Sequence, residues 1–197
     1  MGFLDRLFGR EKKTDQVTLT LPTESFAVLR ADDAEKGKAL MVINTSLAAR
    51  KDDVQLKQVF ACFCSVIFDY RDVDEELWPT QEEFNVMQQF TEVVDKGIKG
   101  DPDHPNALFV ARVTNGGTCQ VMWMLNDPDA AASYLDKMIA DGSAVREFEY
   151  SIEGDPQWES IWWFLQDFTK NKWGITMNDN GLKVMGERLR GISMCFV

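Results

Sequence analysis

One histidine and four cysteines in 197 residues leave little of the side-chain chemistry on which catalysis and metal binding draw. A structural zinc site takes four His or Cys ligands, whereas a C-x-C pair at Cys62 and Cys64 supplies two. Strand residues two apart have Cα atoms roughly 6.5–7 Å from each other, at or beyond disulfide reach. The thiols are therefore read as reduced, in a cytoplasmic protein, and Cys64 as inert packing. Basic residues are also in the minority, 21 Lys and Arg against 32 Asp and Glu, for a net charge of −11. Nucleic-acid backbones need clustered cations, so nucleic acid is not an expected partner. No apolar run is long enough to span a bilayer, and no secretory apolar segment is present. Phosphate-cradling glycine loops, nucleophile elbows and metal-binding helix motifs are missing too. No cofactor is expected.

What is abundant is apolar and aromatic. Hydrophobic residues make up 45% of the chain, with 13 Phe and 6 Trp, enough for a packed core and against disorder. The reading is an N-terminal amphipathic helix and tether over residues 1–16, then one α+β domain over 17–197. In the first segment Phe3, Leu4, Leu7 and Phe8 share one side of a short helix, with Arg6, Arg10, Lys12 and Lys13 around it. So short a helix is marginal alone and must dock on its own body, a partner or a membrane surface. Near the other end, Asp155-Pro156 reads as a helix start, and Trp158, Ile161, Trp162, Leu165 and Phe168 form a stripe at helical spacing. That helix is expected to be buried between layers or to lie under a partner.

Between them the pattern alternates strands and helices. Val17–Leu21 reads as a short strand, and Ser25–Arg30 with Lys38–Asn44 as a hairpin across an acidic turn. Leu56–Phe68 is apolar on both faces, as a central strand would be. Thr80-Gln81-Glu82-Glu83 matches a capping box and opens a helix to about Ile98. Asn106–Thr114 and Thr118–Leu125 flank Asn115-Gly116-Gly117, a hairpin signal. Asp127-Pro128 starts another helix, and Val145–Ile152 alternates as a half-exposed strand. From about residue 56 to 152 this is β-α-β-β-α-β, the ferredoxin-like split unit. The N-terminal strands extend it, and the Trp-rich helical segment covers its free face. Beyond come a strand at Trp173–Met177, a helix at about Asp179–Arg190 and a strand at Ile192–Val197.

Three stretches carry a resemblance. Leu77-Trp78-Pro79-Thr80-Gln81-Glu82-Glu83, Ala111 to Gly117 with Val121 to Asp127, and Asp155-Pro156-Gln157-Trp158-Glu159 running on to Leu165 resemble the signatures of a bacterial domain-of-unknown-function family, number six-nine-five. The likeness spans roughly Lys38 to Arg190. Some relatives carry a further domain similar to the regulator that binds and inhibits ribonuclease E, which is not expected in these residues. The family implies no catalytic residues.

Candidate sites are few. Asp101, Asp103 and His104 share one loop, and Thr176–Glu187 partly fits a calcium loop, but a stiffened turn and a capped helix explain the same letters. Asp72, Asp74, Glu75 and Glu76 form an acidic loop with Trp78 beside it as an aromatic anchor. Three functional readings follow. The first is a non-catalytic protein-binding module, an inhibitor, immunity-type or regulatory partner of a basic protein, using Asp72, Asp74, Glu75, Glu76 and Trp78. The second is an enzyme built on the acidic and histidine loop. The third is a peripheral membrane or scaffold protein using Phe3, Leu4, Leu7 and Phe8. Oligomeric state is left open.

Overall fold

The computed structural model describes residues 19–33, 37–165, 175–177 and 183–185. Residues 19–25 have no regular structure, so no strand forms over the described part of Val17–Leu21. Strand β1 (Phe26–Asp33) pairs antiparallel with β2 (Gly37–Asn44), Asp33 facing Gly37, which gives the hairpin that the acidic turn implied. Asn44 ends β2 by accepting from Ser46 N–H at 3.1 Å, and a 3-10 turn follows at Thr45–Arg50.

The run from Leu56 departs from its reading as a single strand. Asp53 accepts from Leu56 N–H at 3.0 Å and holds Arg50 by a charged bond, and this cap opens helix α1 (Val54–Val59). Leu56 and Phe60, four apart, both turn into the core. Only from Cys62 does the chain extend, as β3 (Cys62–Asp69). Helix α2 (Gln81–Lys99) begins at the Thr80 cap, whose hydroxyl oxygen accepts from Glu83 N–H at 3.3 Å. Strands β4 (Ala107–Asn115) and β5 (Thr118–Leu125) follow, reversing at Gly116 and Gly117 with φ of 56° and 81°. Helix α3 (Pro128–Ala140) is capped by Asp127, which accepts from the N–H groups of Asp129 and Ala130. The next strand, β6, covers Glu149–Gly154, later than the expected Val145–Ile152, because Arg146 turns aside to meet Glu83.

The Trp-rich segment is not an α-helix. Asp155 does cap, accepting from Glu159 and Ser160 N–H at 2.8 and 2.9 Å, but Trp158 sits at φ 62°. A left-handed residue cannot continue a right-handed helix, and only a 3-10 turn forms at Trp162–Leu165. Trp158 and Leu165 are buried as expected, whereas Trp162 is 64% exposed; Phe168 lies outside the described residues. Two short strands, β7 (Ile175–Met177) and β8 (Lys183–Met185), complete the described chain. Lys183–Met185 is thus extended, not helical; the rest of Asp179–Arg190 and all of Ile192–Val197 lie outside the described residues.

The strands form one sheet in the order β6-β3-β5-β4-β2-β1-β8-β7. The first six are antiparallel throughout, and β8 joins β1 in parallel, so the architecture is α+β. Helices α2 and α3 cover one face, where Met87, Phe90 and Leu135 meet Val66, Val121 and Trp123. On the other face Leu47, Leu56, Phe60, Trp158 and Ile161 pack over Met41, Phe63 and Met124. The register slips between Phe109 and Ala111, so Leu108 before the bulge, Val110 within it and Ala111 and Val113 after it all reach this second cluster. That cover stops short of the end of β3, where Ile67 is 41% exposed and Asp69 stands in solvent.

Candidate functional site

Between β3 and α2 the chain makes a closed excursion, and its base is fixed on both sides. Tyr70, buried, donates its N–H to Gly117 carbonyl at 2.8 Å and shares a 2.9 Å hydroxyl bond with Thr114. On the return, Thr80 N–H donates to Asp72 carbonyl at 2.9 Å, and Val73 bridges the buried Pro79. At the tip Leu77 adopts φ 59°, which lets Asp74 serve as the turn's organiser. One carboxylate oxygen of Asp74 accepts from both Glu76 and Trp78 N–H at 2.9 Å. Its main chain also bonds Trp78 carbonyl at 2.8 Å and Leu77 N–H at 3.0 Å.

The acidic letters therefore divide in role. Asp74 is partly consumed by its own loop. Glu76 pairs with Lys38, while Asp72 and Glu75 stand exposed. Trp78 is half-buried, so its ring offers less surface than an interface anchor would; the neighbouring Leu77, 51% exposed, is the apolar tip. Pattern reading passed over Leu77. Its only signal was an aliphatic residue between acids and a Trp-Pro pair.

Beneath the excursion lies an ion pair that spacing did not reveal. Glu83 is 2% exposed and accepts from Arg146 Nε and Nη2, at 3.2 and 2.7 Å, plus the Arg71 N–H at 3.0 Å. The Arg146 hydrogen bond holds the Glu83 carboxyl below its ordinary value, burial pulling the other way. So the Glu of the capping box does not reach back to its cap; it ties the excursion to the loop before β6.

The other candidates are dispersed. His104 is 88% exposed with its ring 3.7 Å from Asp101, and Asp101 accepts from Asp103 N–H at 2.9 Å, the hydrogen bonding of a simple turn. Among the described residues no group of three or more His, Cys, Asp or Glu is placed to hold a metal ion. Within Thr176–Glu187, residues 178–182 and 186–187 lie outside the described residues, as do Phe3, Leu4, Leu7 and Phe8. Cys64 and Cys119 are fully buried, and burial pushes their thiols up to about 12 and about 11, far from thiolate at neutral pH. Cys62, Cys64 and Cys119 are all free. A cavity of about 380 Å³ lies beside the end of α2, and three of its charged side chains pair with one another. Lys99 there meets Glu24 at 2.9 Å and Asp95 at 3.0 Å, and Asp95 also accepts from the Trp123 indole at 2.8 Å. No described helix is long and apolar enough to cross a membrane.

The model of a family described as of unknown function, DUF695, matches residues 25–166, a span that includes all three signature stretches. No curated protein and no solved structure matches the chain.

Proposed function

Since this chain belongs to DUF695, a family whose description carries no activity, we propose from its own geometry that it is a non-catalytic protein-binding module. It docks a basic protein through the excursion Asp72–Trp78 and acts as an inhibitory or regulatory partner. The observation that carries this is the hydrogen-bonded bracing of the excursion. Asp74 braces two tip amides, a bridge closes the base, and the Glu83–Arg146 pair anchors it from below. Fixed negative charge with little ordering left to do on contact suits capture of a basic surface. Leu77 supplies apolar contact at the tip. The order β6-β3-β5-β4, with α2 and α3 on one face, supports reading these elements as a ferredoxin-like unit that presents the excursion. Three free thiols and the net charge of −11 support a reducing, cytoplasmic setting.

The test is cross-linked capture from the native host at low ionic strength. Wild type is compared with a Asp72→Asn/Glu75→Gln/Glu76→Gln variant and with a chain lacking residues 1–13. A stoichiometric basic protein held by wild type and lost by the neutralised variant, at unchanged melting temperature, is the expected outcome. Equal capture by that variant would move the interface elsewhere. Loss only on removing residues 1–13 would assign it to Phe3, Leu4, Leu7 and Phe8.

A further inference from the structure

Strand β6 ends the sheet: β3 lies on its inner side, and among the described residues no strand lies on its outer side. The register says which main-chain groups point outward. Asp155 N–H donates to Ala61 carbonyl at 2.7 Å, and the same pairing runs on through Phe63–Glu153, Ser65–Ser151 and Ile67–Glu149. Bonded and non-bonded pairs alternate along an antiparallel ladder. Glu149, Ser151 and Glu153 therefore turn their N–H and C=O groups toward β3, and Tyr150, Ile152 and Gly154 turn theirs away from it. The side chains alternate as well. Glu149, Ser151 and Glu153 are exposed on one face, while Tyr150 and Ile152 pack partly into the core under α3 on the other. An open hollow of about 410 Å³ bordered by Asp69, Glu147 and Glu149 extends the acidic face at the start of the strand.

We propose that β6 is a strand-addition site for an extended segment of a partner protein in which Lys or Arg alternates with apolar residues. An added strand would bond the outward main-chain groups of Tyr150, Ile152 and Gly154, and its side chains would fall beside those of β6 on alternate faces. On one face they meet Glu149 and Glu153, which suits cations; on the other they meet Tyr150 and Ile152, which suits apolar groups. No basic residue lies within β6, and Arg146, just before it, is engaged by Glu83. A second copy of this chain is disfavoured in the register centred on Ser151. Antiparallel pairing of two β6 strands about Ser151 would set Glu149 against Glu153 at both ends, like charge opposite like charge. The carboxylates that keep copies apart thus select a basic strand. This surface does not depend on the Asp72–Trp78 excursion, and each can fail without the other.

The experiment uses the full chain and a blocked peptide of about nine residues alternating Lys with Val or Ile. One control has the same composition with its lysines in a block. A second carries N-methyl groups on two alternate amides. Amide hydrogen exchange of the protein is read with and without peptide. In the free chain the Tyr150, Ile152 and Gly154 amides should exchange quickly, and saturating peptide should slow them by roughly tenfold or more. N-methylation should weaken binding by about tenfold, since it removes main-chain bonds and leaves charge unchanged. Glu149→Gln/Glu153→Gln should weaken it and flatten its salt dependence. The proposal is overturned if those three amides are already protected in the free chain, because the edge is then covered. It is overturned equally if the N-methylated or block peptide binds as well as the alternating one, or if nothing binds at about 1 mM.

Discussion

Trp158 keeps a left-handed backbone that costs an L-residue about 1–2 kcal/mol. What holds it there is its ring, 1% exposed, with the indole N–H donating to Phe60 carbonyl at 2.7 Å and the Lys57 ammonium 5.8 Å from the ring centre. Trp162, four residues on, stands mostly in solvent. The two tryptophans look alike in a helical stripe and differ in consequence. Trp158→Ala should lower unfolding free energy by about 3–5 kcal/mol, and Trp162→Ala by less than about 0.5 kcal/mol, both measured by urea denaturation. A loss at Trp162 as large as that at Trp158 would mean that residues outside the described set cover it. Asp74 makes the same point in the acidic loop. Its letter signals charge, while its position makes it a brace for two amides.

At the scale of elements, the signals that rest on local chemistry were legible. Asp127-Pro128, the Thr80 cap and Asn115-Gly116-Gly117 each placed an element boundary to within about two residues. The run at Leu56 was not, because a short apolar stretch reads equally as buried strand or helix until a distant partner arbitrates. That partner is the Trp158 cluster, about a hundred residues on. Arg146 likewise could not be placed from the chain, since the partner it turns to is Glu83 at sequence separation 63. This pair has a pH signature. The Glu83 carboxyl is lowered in the folded state, so the stability it contributes is complete above the unfolded value of about 4.3 and drains as pH falls through the folded value. Arg146→Met, which leaves a buried carboxylate without its cation, should cost about 3 kcal/mol at pH 7. The gap from wild type should narrow as pH falls, first as the unpaired carboxyl of the variant protonates and then as pH passes through the lowered wild-type value. Denaturant titrations across pH check this; a gap independent of pH would mean that Arg146 acts through packing alone.

On the scale of the whole molecule, −11 of formal charge on 197 residues sets up a self-repulsion that the fold must withstand. The exposed acids of the excursion and the start of β6 add to it locally. Repulsion between exposed charges falls off over a Debye length, about 10 Å at 0.1 M salt. Raising NaCl from low to moderate concentration should therefore raise the melting temperature. The response to divalent cations separates this general effect from a true site. Asp101 with His104 forms a turn, and the described carboxylates form no cage. Calcium, magnesium and zinc, each compared with NaCl at matched ionic strength, should then give the same melting temperature as NaCl. A specific site filled at a hundredfold its dissociation constant would instead add about 2.7 kcal/mol. For a chain of this length that is a shift of roughly 5–10 °C, well outside measurement error. A calcium-specific rise of that size would point to Thr176–Glu187, where Asn178, Asn180 and Glu187 have the spacing of loop ligands. A zinc-specific rise abolished by His104→Ala would point to the Asp101–His104 turn. Either result would replace a charge-screened docking module with a metal-dependent one.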